Sequence, residues 1–194
     1  ENFYKVLNED LNSFFIKKND KIKNLKKKHP SYTIDDIKFR LVRDIYLSKN
    51  HYEELMFLMM SEKNFNYKSF YSKLFFKKND LKKLDSLGHL VGLHSHNHPT
   101  LLEKLDYNKQ KFEYEKCLSI ISKILNKSKN DIKYMSHPCG SYNEDTLKIL
   151  KELGIELGFK QIMTLEPEKG MKKINNSHLE IARQDHSVIF KRMD

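Results

Sequence analysis

Cysteine is nearly absent from this chain, with only Cys117 and Cys139 among 194 residues. Two thiols cannot build a disulfide framework. Cys117 falls inside a helical pattern and reads as a small buried apolar side chain. The count suits a reducing compartment, so a cytoplasmic location is expected. Long apolar runs are missing as well. The best stretch, Leu55 to Met60, is under two helical turns, whereas a membrane span needs roughly 18 apolar residues. No signal-peptide pattern is visible, and nothing repeats internally. Hydrophobic residues at 39% and aromatics at 11% exclude a disordered tail. A chain of this length can bury a sizeable core and is one domain by size, expected over 1–194.

Acidic charge is in short supply. Lys and Arg number 36 against 26 Asp and Glu, for a net charge of +10. Such a balance raises nucleic acid and anionic surfaces as partners. Much of the excess is local: Lys17, Lys18, Lys21, Lys23, Lys26, Lys27 and Lys28 share one stretch. We read it as a solvated face or excursion. Elsewhere acids interleave with lysines, as at Glu113, Glu115 and Asp145, and read as surface residues. No RNA-binding or zinc-finger signature accompanies the charge, so nucleic acid is set aside. Oligomeric state is not legible.

Hydrophobic spacing predicts the elements. Residues 1–16 read as a helix at Phe3, Val6 and Leu7, running into a strand at Ser13–Ile16. Residues 17–31 are the basic excursion. Thr33 opens a helix with Asp35 and Asp36 in its first turn and Ile37, Leu41 and Ile45 as its apolar face. A helix follows near His51–Ser61, then an irregular stretch over 62–80, then a helix at Asp80–Leu87. From Gly88 the pattern alternates: strand Leu90–Leu93, helix 107–126 with Leu118, Ile121 and Leu125 in a stripe, strand Ile132–Met135, helix 144–153 stopped by Gly154, strand Ile155–Phe159 and strand Leu179–Ala182. Alternating units imply a parallel sheet wrapped by helices, with chemistry at the carboxyl ends of the strands.

Three of the nine histidines fall in His94-Ser-His-Asn-His-Pro99, directly after a predicted strand. Neutral imidazole is the common nitrogen ligand of zinc. If the segment stays extended, all three histidines share a face. If it turns after His94, then His94 and His98 converge and His96 points elsewhere, and Pro99 favours the turn.

The segment Gly88-His-Leu-Val-Gly-Leu-His-Ser-His-Asn-His-Pro99 resembles the second motif of polysaccharide deacetylases, the NodB-homology or carbohydrate esterase family 4 group. That motif is His-Ser/Thr-x-x-His after Gly-x-x-Ile/Val-Gly. The resemblance implies that His94 and His98 ligate zinc, or another divalent metal, with the Ser95 hydroxyl bracing the loop. Ser136-His-Pro-Cys-Gly-Ser-Tyr-Asn143 is similar to the family's third motif, Arg-x-Pro-x-Gly. The resemblance makes the Cys139 amide an oxyanion donor and places His137, Pro138, Gly140 and Tyr142 in a substrate wall. Ser136 stands where the family carries arginine. Leu179-Glu-Ile-Ala-Arg-Gln-Asp-His186 resembles a late Arg-x-Asp strand, making Arg183 and Asp185 orienting residues and His186 a candidate general acid.

The implied fold is α/β, a distorted (β/α) barrel of the NodB type. Its motifs lie within 88–190, and 17–79 form a basic, helical excursion outside the resemblance. The family's first motif, Thr-Phe-Asp-Asp-Gly, supplies a catalytic base and a third zinc ligand. It is not found at the start of this chain, so the first strand is expected upstream. Thr33-Ile-Asp-Asp36 imitates it, but His29-Pro30 precedes it where a buried strand belongs, and a helix-like pattern follows. We read Thr33 as an N-cap and Asp36 as its capping-box partner. The implied activity is zinc-dependent removal of N-acetyl groups from a sugar or glycan; the alternative is an inactive relative that binds a sugar or a protein.

Overall fold

The computed structural model describes residues 2–163, 165, 167, 170–184 and 189. The chain forms two compact units, Glu1–Phe75 and Phe76–Asp194.

The first unit is helical: α1 (Asn2–Leu7), α2 (Asn12–Lys17), α3 (Asn19–Lys28), α4 (Ile34–Leu41), α5 (Lys49–Glu62) and α6 (Tyr67–Leu74). Phe3, Leu7, Leu11, Val42, Leu47 and Leu55 form one buried cluster, and Ile22, Ile37 and Leu41 form another. Ser13–Ile16 was expected to be a strand and is helix instead. A buried strand would hide the whole apolar run, yet Ile16 is 76% exposed while Leu11 is buried. The irregular reading of 62–80 is likewise corrected by α6. The basic stretch is no loose excursion: α3 holds most of it and buries Ile22.

At Thr33 the capping box forms as expected. The Asp36 carboxylate accepts from the Thr33 amide and hydroxyl at 2.9 and 2.8 Å, and the Asp36 amide donates back to the Thr33 hydroxyl at 3.0 Å. Beyond Leu41 the helix widens into a single π turn over Val42–Tyr46. The extra residue in that turn moves Val42 into the core and leaves Ile45 38% exposed, where the apolar face was expected.

The second unit carries α7 (Lys78–Ser86), α8 (Tyr107–Leu125), α9 (Glu144–Glu152) and two strands, β1 (Tyr134–Ser136) and β2 (Leu157–Phe159). The strands pair in parallel, Met135 opposite Gly158. Single parallel bridges extend the ladder on each side, Leu93 to Met135 and Phe159 to Ile181. Four chain segments therefore lie side by side in sequence order, as expected of repeated strand–helix units. Regular strand is shorter than the apolar runs suggested: only Leu93 pairs from its run, and only Ile181 from 179–182.

Neighbouring segments approach closely because of two glycines. A Cβ on Gly92 would stand 2.5 Å from the Tyr134 carbonyl oxygen, and one on Gly158 would stand 2.5 Å from that of Leu179. Leu93, Met135, Ile149, Leu150 and Leu179 are buried against the stripe Tyr114, Cys117, Leu118 and Ile121 of α8. Asn143 caps α9 in a reciprocal box with Thr146. The Thr146 hydroxyl also donates to the buried Gln110 of α8, so the two helices share a polar lock.

Candidate active site

Leu93, at the carboxyl end of its segment, hands the chain to His94. The loop then turns sharply, with Ser95 at φ 62° and His98 at φ 51°. Left-handed backbone at non-glycine residues costs free energy and needs fastening. The Ser95 hydroxyl accepts the His98 amide at 3.1 Å, the bracing expected of it. A second fastening was not expected. Glu113, from α8, accepts the His96 amide at 2.9 Å and the Asn97 amide at 2.6 Å through Oε2, while Oε1 takes the Asn97 side-chain amide at 2.7 Å. Glu113 is buried at 6% exposure, which corrects its reading as a surface acid.

The turn brings His94 and His98 together, ring centroids 4.8 Å apart and Nε2 to Nε2 3.1 Å. His94 Nδ1 lies 2.7 Å from the Ser136 carbonyl oxygen. A carbonyl only accepts, so Nδ1 carries the proton in the neutral ring and the Nε2 lone pair faces His98. His96 points away, its ring 6.2 Å from that of Phe112. Of the two geometries open from sequence, the chain adopts the turned one. Burial holds the His94 imidazole below its ordinary pKa; the Ser136 carbonyl opposes this, and the charges of His98 and Arg183 add to it. A neutral ring at neutral pH is the form that binds a metal.

The pair suits the nitrogen side of a zinc site. Two nitrogens each about 2.0–2.1 Å from one tetrahedral ion stand about 3.3 Å apart, close to the 3.1 Å seen. Outer hydrogen bonds such as His94 Nδ1 to Ser136 are the usual means of setting ligand orientation. The carboxylate side is another matter: among the described residues no group of three His, Cys, Asp or Glu is placed to hold a metal ion.

The second loop, 137–143, sits beside the first through β1. Cys139 is exposed and left-handed at φ 52°, followed by Gly140 at φ 66°. The Gly140 and Ser141 amides bond within the turn, to His137 and Pro138. His137 and Tyr142 are buried at 1% and 2%, stacked 4.3 Å apart, and Pro138 is buried with them. These three shape the loop from beneath. His137 Nε2 donates to the Leu179 carbonyl at 2.8 Å, and the Tyr142 hydroxyl donates to the buried Glu180 at 3.2 Å.

Arg183 reaches this site from the next segment. Its Nε donates to the Lys160 carbonyl at 2.8 Å and its Nη2 to the Ser136 hydroxyl at 2.9 Å. Ser136 thus joins Arg183 on its side chain to His94 on its carbonyl. The guanidinium that the motif lacks at position 136 is supplied from position 183. Asp185 and His186 lie outside the described residues.

Parallel strand–helix order, a turned His-Ser-x-x-His loop and an adjoining Pro-x-Gly loop together define a carbohydrate-deacetylase type of site. A sequence profile described as Polysaccharide deacetylase matches residues 22–158, and the chain belongs to that family. The match takes in 22–79, so the expectation that this stretch stands outside the family pattern is corrected. A solved structure of the Streptococcus pyogenes deacetylase PplD in complex with acetate is similar at 21% identity and a TM-score of 0.45. The similarity covers 65% of this chain and 54% of that one, so this chain spans about half its length. Comparison with curated proteins gives no match.

Proposed function

We propose that the chain forms the histidine side of a metal-dependent N-deacetylase acting on an N-acetylated sugar or glycan, within an incomplete (β/α) barrel. The observation that carries this reading is the convergence of His94 and His98 at 3.1 Å, with the His94 tautomer set by Ser136. Zinc fits best, because two neutral imidazoles are its commonest protein donors. When bound, the ion supplies a Lewis acid that polarises the acetamide carbonyl and acidifies a water.

The remaining roles fall to this chain's own groups. His94 and His98 hold the ion. Arg183 and Ser136 keep the His94 ring in its ligating orientation, and Glu113 keeps the loop turned. The amide of Cys139, at the exposed tip of the second loop, is the donor for a developing oxyanion. Gly140 leaves the approach to that tip free of a side chain, with the buried His137, Pro138 and Tyr142 supporting it. Asp185 orients His186, which protonates the leaving amine.

The test is acetate release from N-acetylated sugar oligomers, before and after chelation and after zinc is restored. Activity that disappears with the chelator and returns with zinc supports the proposal. Turnover untouched by chelation overturns its metal dependence. Tight sugar binding by zinc-loaded protein without acetate release would favour an inactive, sugar-binding relative.

A further inference from the structure

The deacetylase reading makes no use of α6. From Lys63 to Lys78 the sequence has five lysines, six aromatic residues, Leu74, and no Asp or Glu. Every described side chain from 61 to 80 is exposed. Within this stretch α6 sorts its residues by face. At about 100° per residue, Tyr67, Phe70, Tyr71 and Leu74 share one arc, Lys68 and Lys73 stand on its two flanks, and Ser69 lies behind. The arc is open to solvent, with exposures of 38%, 42%, 61% and 69%. Contiguous exposed apolar patches of this kind mark interaction surfaces.

We propose that this face of α6 docks on an anionic lipid bilayer. The arrangement is that of an interfacial helix, with an apolar arc pointing down and lysines at its edges whose stems reach past it to the headgroups. Tyrosines suit the headgroup level. A local excess of positive charge with no acid complements an anionic leaflet. Nucleic acid fits less well: phosphate binding wants lysines at the centre of the patch, and here they form its rim. Leu74, the most exposed residue of the arc, offers no ring for a base to stack on. With two turns of helix, the attachment is weak and reversible, and it needs both the apolar arc and the lysines.

The chain has no tryptophan, so Leu74→Trp makes a lone fluorescent reporter on the arc. The full chain is sedimented with vesicles of phosphatidylcholine alone and of phosphatidylcholine with phosphatidylglycerol at three to one. Co-sedimentation is expected only with the anionic vesicles, with a blue shift of the reporter's emission. Lys68→Glu with Lys73→Glu should weaken partitioning about tenfold or more. Phe70→Ser with Leu74→Ser should abolish it at unchanged charge. These positions are exposed, and circular dichroism checks that each variant keeps its helix content. Absence of binding to anionic vesicles by the unaltered chain overturns the proposal. So does binding that ignores the serine changes, stronger retention on duplex RNA at the same salt, or a concentration-dependent dimer that buries the reporter without vesicles.

Discussion

At Thr33–Asp36 and at Ser95–His98 a carboxylate gathers backbone amides, and the two cases serve different ends. Asp36 works within its own turn, on an exposed surface, and starts a helix. Glu113 works from another element, α8, and is buried as it holds the 96–97 amides. Local capping stabilises an element that would otherwise fray. Capping at long range fixes a conformation the segment would not hold alone, and here that conformation aims two imidazoles at one point. Both stretches imitate deacetylase motifs in sequence, but only the second has converging ring nitrogens.

The largest effect should come from removing those nitrogens. His94→Ala and His98→Ala are each expected to abolish stoichiometric zinc retention, measured by mass spectrometry, whereas His96→Ala should keep it. Equal loss in all three would revive the extended, three-histidine geometry.

Glu113→Ala should follow. It leaves two backbone amides and a side-chain amide without their acceptor, at about 2–4 kcal/mol in denaturant unfolding. It should also weaken zinc binding by about 10–100-fold, the usual cost of losing outer support for ligands. Glu113→Gln, which keeps an acceptor, should recover part of both. A Glu113→Ala protein with unchanged zinc affinity would mean that the loop holds its turn without help.

Gly92→Ala tests the sheet beneath the site. Its Cβ would meet the Tyr134 carbonyl, and backbone must shift, at about 2–3 kcal/mol. Equilibrium unfolding that matches the unaltered chain would contradict the close approach.

The smallest effect is expected at Asp36. Asp36→Asn should lower the melting temperature by a few degrees and leave zinc content alone. Hydrogen bonds from the Thr33 amide and hydroxyl hold the Asp36 carboxyl below its usual pKa. Its stabilisation is therefore present above the unfolded pKa and fades as pH falls through the folded one, below about pH 4. The melting difference between Asp36→Asn and the unaltered chain should shrink in that range. Loss of zinc from Asp36→Asn would instead return Asp35 and Asp36 to the site as its carboxylates, a reading open to them because the family match spans this segment.

Much of the second unit was legible because each element there is marked locally. Asn143 and Gly154 bracket α9, Asp106 and Asn126 bracket α8, and short apolar runs sit at the strands. The histidine pair was legible from spacing and Pro99. The first unit was harder. An apolar run such as Ser13–Ile16 does not say whether its partner is a strand or a helix, and the π turn after Leu41 depends on packing rather than on periodicity. Two contacts at the site were missed for a related reason. Arg183 meets Ser136 across 47 positions in sequence, which no local pattern records. Glu113 did leave a signal: with Gln110 it occupies a position of the stripe continued by Cys117, Leu118 and Ile121, where a polar residue implies a buried partner.

The central claim is that His94 and His98 present their Nε2 atoms to one ion while His94 Nδ1 stays protonated on the Ser136 carbonyl. Nitrogen NMR of histidine-labelled protein during zinc titration addresses it directly. The account predicts that the Nε2 signals of His94 and His98 move together to saturation at one equivalent, that the His94 Nδ1–H persists, and that His96 is unmoved. Unchanged Nε2 signals for the pair, or a His96 shift equal to theirs, would contradict it.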